Sequence, residues 1–318
     1  MPSTHVHVAA AIATYRRNRE LVRLLDALAA GTARPSSVIV ADNASWDSTR
    51  ETCEKAGAKW LPRAVNNGPG AAWNAAIAEA LLDPDVSHVL VLDDDVLPGP
   101  DALQTLLEVQ QTTDCGAVAP LLFDDKNKLW GFPEPREPFL RNAIRRAQDP
   151  ASCLALLGST PLPFCWATGA CMLYHRDAIE KCGAFREDFW MLGEDLEYSM
   201  RVAAAAGGVF TARVAIPHLP PPPEDPRAAA FSHRAKFLAL LQNLSFLAFH
   251  SPHSAHLRSY LPGNFRRFLR TEGMSPGNMA DGSHAFWHGA IRGRPAGTPA
   301  GAKLRARACH RMTKDRPE

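Results

Sequence analysis

The run Val89-Leu90-Val91-Leu92 passes without a break into Asp93-Asp94-Asp95. Four consecutive apolar residues have the pattern of a strand covered on both faces. Such a strand belongs in a sheet held between two layers of helices, since a sheet with one wet face would alternate apolar and polar residues. Three adjacent carboxylates repel one another, so each must be solvated or paired. In open α/β sheets, ligands bind at the carboxyl ends of the strands. A hard divalent cation such as Mn²⁺ or Mg²⁺ carrying a diphosphate suits this cluster. A solvated acidic turn leading into the helix from Asp101 is the plain alternative.

The rest of the first third supports the layered sheet. Strand patterns at Val6–Ala13, Ser37–Ala41 and Lys59–Pro62 alternate with helix patterns at Asn18–Ala30, Asp47–Ala56 and Ala71–Leu82. A further helix is predicted from Asp101 to Gln111. Such alternation implies a mostly parallel sheet flanked by helices. Beyond Gly116 the pattern is mixed, with strands at Ala117–Ala119, Ala170–Tyr174 and Val209–Ile216 and a helix over Glu194–Ala206. Pro133–Pro163 reads as a loop. Pro220–Pro223 reads as an extended break, followed by helices at Phe231–Phe249 and His256–Arg270 and a disordered final thirty residues. The expected division is 1–115, 116–220 and a helical extension over 221–318.

Charge separates the last part from the body. Residues 227–318 hold 15 Lys+Arg and 4 Asp+Glu, a net of +11, which leaves 20 basic and 29 acidic residues, a net of −9, for the first 226. An acidic body with a basic tail suits a metal site in one and contact with anions, lipid head groups among them, in the other. Seven cysteines without a CxxC pair imply reduced thiols and a cytoplasmic protein. The N-terminus lacks a signal-peptide layout, and Phe237–Phe249 is too short to span a bilayer, although it could lie on one. Peripheral membrane contact through the basic segment is therefore an expectation, and a nucleic-acid partner is not.

Four strand-end loops are polar and would meet at one sheet edge. Thr14-Tyr15-Arg16-Arg17-Asn18 offers backbone amides and two guanidinium groups for a base and phosphates. Asp42-Asn43-Ala44-Ser45 could accept from a base or ribose, or could cap the next helix. Asn66-Asn67-Gly68-Pro69-Gly70 would let backbone approach a ligand closely. The triple acid is the fourth. Glu194-Asp195 opens a later helix, where a carboxylate is either a general base or a response to the helix dipole. His218, at a strand end, is a neutral imidazole ligand or a surface residue. Trp166, Thr168, Gly169 and Trp190 could form an aromatic and small-residue shelf for a sugar, or could be core.

In sequence order, Ala11 to Arg16, Val38 to Ser45, Asn66 to Asn74, Leu92 to Asp95, Thr168 to Ala170 and Gly193 to Glu197 resemble the motifs of glycosyltransferase family 2, with the triple acid in place of Asp-x-Asp. The resemblance spans residues 6 to 218. It implies the GT-A fold, an α/β architecture with a Rossmann-like, mostly parallel central sheet, here with a C-terminal helical extension. It also implies inverting transfer of a sugar from a UDP- or dTDP-linked donor to a hydroxyl of a glycan, lipid-linked or small-molecule acceptor. On that resemblance Thr14, Arg16, Asp42, Asn43, Asn67, Gly68, Asn74, Asp93 and Asp94 bind the donor. Asp93, Asp95 and His218 hold the metal, Asp195 beside Glu194 is the base, and Trp166, Thr168, Gly169 and Trp190 meet the acceptor. The middle acid, Asp94, resembles the galactofuranosyltransferases; rhamnosyltransferases are a second likeness. Competing readings are a sugar-phosphate nucleotidyltransferase and a non-catalytic carbohydrate- or membrane-binding module. The first would normally carry a Gly-rich loop after strand one, and the second has no use for the carboxylates.

Overall fold

The computed structural model describes residues 6–45, 47–131, 133–189, 191–219, 233–250, 255–272 and 274–291. Its first half runs β1 (His7–Thr14), α1 (Asn18–Ala29), β2 (Ser37–Asp42), α2 (Thr49–Ala56), β3 (Lys59–Pro62), α3 (Pro69–Ala80), β4 (Val86–Asp93) and α4 (Ala102–Thr113). Then come β5 (Ala117–Phe123), β6 (Leu129–Gly131), β7 (Glu134–Pro135), α5 (Pro138–Ala147), α6 (Pro150–Leu157), β8 (Leu162–Trp166), β9 (Cys171–His175), α7 (Arg176–Cys182), α8 (Glu194–Ala206) and β10 (Gly208–Pro217). The last elements are α9 (His233–His250), a 3-10 turn at Ala255–Tyr260, α10 (Leu261–Glu272) and α11 (Pro276–Ala290).

Among the described residues the strands form one sheet in the order β3-β2-β1-β4-β9-β5-β10-β8-β7, with β6 paired to β5. β1, β2, β3 and β4 are mutually parallel, and β10 is parallel to β5. β9 is antiparallel to both β4 and β5, so those two share a direction. The architecture is α/β with a mostly parallel central sheet and C-terminal helices.

Alternate residues of each strand enter opposite cores. Ala9, Ala11, Val89 and Val91 join Trp73, Ile179, Tyr198 and Val202 on one face. Val8, Ala10, Ile12, Leu90 and Leu92 join Leu21, Leu24, Leu28, Leu103 and Leu106 on the other. The period of two thus gives both layers of helices something to bury, at about 1.5–3 kcal/mol for each large apolar side chain. The small residues of β1 leave room for α3, which crosses the strand through Ala72, Trp73 and Ala76.

Pro133–Pro163 departs from expectation, because it holds β7, α5, α6 and part of β8. Two of its prolines, Pro138 and Pro150, lie in the first turn of α5 and of α6, where the missing N–H costs nothing, and Asp149 caps α6 by accepting from Ser152 N. Ile144 and Cys153 anchor the two helices in the core. Prolines that read as breakers are helix starts here.

The chain divides into two compact units, Met1–Phe185 with Tyr198–Pro221, and Arg186–Glu197 with Pro222–Glu318. The second contains α9, α10 and α11. In α9, Leu238, Leu241, Leu244 and Leu247 are buried, and so are the polar Gln242, Asn243 and Ser245. Phe237–Phe249 is thus a packed helix, and no described helix is long and apolar enough to cross a membrane. The sequence pattern does not single out α11, because it carries three glycines. Gly289 lies flat against the backbone and side chains of α9 at Gln242, Ser245 and Phe246, where a Cβ would not fit. The Pro220–Pro223 break, residues 292–318 and Trp190 lie outside the described residues.

Candidate active site

The carboxyl ends of β1 and β2 and the turn before α3 are tied together by their own loops. Asn43 N donates to Thr14 O at 2.9 Å, Arg16 N to Ser45 Oγ at 2.8 Å, and Asn43 Nδ2 to Gly68 O at 3.2 Å. Arg16 adopts φ 55°, a left-handed turn that reverses the chain and sends the next residue inward. That residue, Arg17, is buried, with its side chain 1% exposed.

Arg17 explains how a triple acid survives at this edge. Its Nη1 donates to Asp94 Oδ1 at 3.1 Å and to Asp95 Oδ2 at close range, while Thr14 Oγ1 donates to Asp94 Oδ2 at 2.7 Å. Burial alone would lower the guanidinium's pKa, but the charges of Asp94 and Asp95 outweigh it and hold the group firmly protonated. Asp94, expected beside the donor, therefore has its carboxylate committed to Thr14 and Arg17. The hydroxyl of Thr14 is committed to Asp94 in the same way.

Asp93 and Asp95 sit on either side of Asp94, and His218 joins them from the end of β10. Leu97 N donates to Pro217 O at 2.9 Å, Leu219 N to Asp95 O at 2.7 Å, and His218 N to Phe123 O at 2.6 Å. These bonds zip the acid loop to the distant strand end. His218 Nε2 then lies 3.4 Å from Asp95 Oδ1, a buried carboxylate oxygen with no hydrogen bond of its own. Ligand atoms of Asp93, Asp95 and His218 all fall within 4.8 Å of one another. Two carboxylate oxygens, one of them lacking a donor, and an imidazole nitrogen fit a divalent cation of the Mn²⁺ type.

The other expected residues divide. Asp42 is buried and accepts from Ser45 N at 2.8 Å and Trp60 Nε1 at 3.0 Å, which steadies the β2 turn rather than capping α2. Gly68 takes φ 91° in front of α3, and Asn67 is exposed. Asn74 turns away from this edge: its amide bonds Phe185 N at 2.8 Å and Phe185 O at 2.9 Å. Thr168-Gly169 lead into Ala170, whose carbonyl accepts from Asp93 N at 3.0 Å. Trp166 lies on β8 opposite Glu134.

Glu194 and Asp195 open α8, and that first turn is grouped with the second unit. Asp195 Oδ1 accepts from Leu196 N at 2.7 Å. The preceding loop is strained, with Leu192 at φ 66° and Gly193 at φ 118°. Asn243 of α9 secures it by donating to Met191 O at 3.1 Å and Leu192 O at 2.8 Å. Sequence reasoning missed Asn243, as well as Trp60, Trp130 and the inward role of Arg17. Only the pairing of two adjacent arginines with three acids gave any signal for these.

Comparison with known proteins identifies the family and the fold. The family described as Glycosyl transferase family 2 matches residues 10–183. The N-acetylglucosaminyl-diphospho-decaprenol L-rhamnosyltransferase of Mycobacterium tuberculosis is 28% identical over 211 residues, covering 60% of this chain and 69% of the relative. A low-salt glycan biosynthesis hexosyltransferase of Haloferax volcanii is 23% identical over 163 residues, 51% of this chain and 52% of the relative. Among solved structures, S. aureus TarS 1–349 in complex with UDP-GlcNAc superposes with a TM-score of 0.61 at 16% identity, covering 97% of this chain and 92% of that one. The mannosyltransferase PcManGT of Pyrobaculum calidifontis, in complex with GDP-Man and Mn²⁺, gives a TM-score of 0.52 at 18% identity, covering 98% and 83%.

Proposed function

The chain belongs to glycosyl transferase family 2 and is a glycosyltransferase, and on that footing we propose inverting, metal-dependent transfer from a UDP- or dTDP-linked sugar. The acceptor is a hydroxyl of a glycan or a lipid-linked saccharide, the kind of molecule named for the mycobacterial relative. The observation that carries this reading is the meeting of Asp93, Asp95 and His218 at the strand ends.

In this reading the edge formed by Arg16, Asp42, Asn43 and Gly68 receives the nucleoside. Asp93, Asp95 and His218 would hold the divalent cation, which supplies Lewis-acid stabilisation of the departing diphosphate, typically worth several kcal/mol. Asp195 takes the proton of the acceptor hydroxyl as its oxygen bonds to the anomeric carbon. The bond from that carbon to the diphosphate oxygen breaks, and the nucleoside diphosphate leaves with the electron pair. A single displacement inverts the anomeric centre. Arg17 holds the Asp95 carboxylate in place through its guanidinium without contributing to the reaction itself.

Calorimetric titration of UDP and dTDP, with Mn²⁺ and with EDTA, tests the reading. One of the nucleotides should bind at least tenfold more tightly with Mn²⁺ present. Equal binding in EDTA would remove the metal, and no binding of either would remove the donor class.

A further inference from the structure

Trp130 on β6 is used by none of the roles above. Its indole is 49% exposed and stacks on the imidazole of His218, with centroids 3.7 Å apart and planes 10° from parallel. One ring's thickness therefore separates this side chain from the cluster expected to hold the donor diphosphate. Trp130 also lines an open cleft of about 420 Å³, whose other walls are Asp124, Lys128, Leu129, Arg145 and Gln148. That volume lies within the roughly 300–1,000 Å³ of small-molecule sites.

The cleft is braced and biased towards anions. Leu129 N donates to Gln148 O at 2.6 Å, which fixes β6 to the end of α5, and Asp124 N donates to Lys128 O at 2.8 Å across the turn before β6. Lys128 and Arg145 supply two cations against the single acid Asp124. The Asp124 carboxylate accepts from Lys126 N at 2.9 Å and Lys128 N at 2.8 Å, which offsets part of its charge. An aromatic ring beside an ammonium and a guanidinium is the chemistry that receives a sugar bearing phosphate. The apolar face of the pyranose packs on the indole, and the oxyanions meet the cations.

We infer that this cleft is the acceptor site and that it takes a sugar bearing a phosphate or diphosphate, with Trp130 as the platform. The inference rests on the transferase reading, because an acceptor site needs a donor site beside it.

Tryptophan emission of the full chain, titrated with glucose 1-phosphate in the presence and absence of UDP with Mn²⁺, tests it. The emission should change saturably, and Trp130→Phe should remove the change. The pair Lys128→Ala with Arg145→Ala should weaken binding about tenfold, the scale of losing one charge-assisted contact. Methyl glucoside should bind at least tenfold more weakly, and UDP with Mn²⁺ should not displace the sugar phosphate. Displacement by UDP, or unchanged affinity in the double variant, overturns the inference. A silent titration while calorimetry still shows metal-dependent UDP binding sinks the acceptor site and leaves the transferase reading standing. Loss of nucleotide binding in wild type sinks both.

Discussion

Replacing Arg17 by Met removes the cation that bridges Asp94 and Asp95. At 3.1 Å and an effective dielectric constant of about 20, the Arg17–Asp94 attraction is about 5 kcal/mol. Burying the ions costs several kcal/mol each, so the intact network adds little net stability. Removing one member is different, because two adjacent carboxylates, both under 10% exposed, are left facing each other. The expected loss is about 3–5 kcal/mol, roughly a 10 °C fall in the midpoint of the sheet-bearing unit. Urea unfolding in EDTA, followed by far-ultraviolet circular dichroism, measures it. Asp94→Asn in the same chain should restore at least half of the loss, since it removes one of the stranded charges. If Arg17→Met unfolds at the wild-type midpoint, or if the two substitutions are simply additive, the ion network is not what holds this edge.

Three further outcomes are expected. Asp195→Asn should leave metal-dependent nucleotide binding intact while turnover falls by about 10²–10⁴, read as nucleotide release; full turnover would remove Asp195 as base. Asn74→Ala should destabilise by about 1–3 kcal/mol, because it strands Phe185 N and O, and denaturant midpoints would show no change if the pair is unimportant. Burial lowers the pKa of His88 below the ordinary histidine value. The unfolded chain then takes up this proton first as pH falls below about 6.5, so stability is full above that value and is lost on acidification until the folded histidine is protonated too. His88→Gln should flatten this part of the pH–stability curve, and an unchanged slope would place the proton uptake elsewhere.

Much of the sheet was readable because its signals are local. The run of Val89 to Leu92, the alternating elements before it and the polar strand ends all follow from side-chain period and turn chemistry. Helices α5 and α6 were hidden because proline in a first helical turn and proline in a loop look alike in sequence. Helix α11 was hidden because its glycines lower helix propensity while permitting close packing on α9.

The sequence by itself determined that three acids stand at the end of a doubly covered strand and that each must be solvated or paired with a cation. Which cations, and which acids, was decided only by tertiary structure. Arg16 and Arg17 are equivalent on paper, yet the positive φ of Arg16 turns its neighbour inward. Asp94 is then paired inside the protein, while Asp93 and Asp95 are set beside His218. That histidine comes from a strand far along the chain and is brought into place by backbone hydrogen bonds between two loops. No residue pattern encodes such a meeting, because its partners share neither a helix turn nor a strand register.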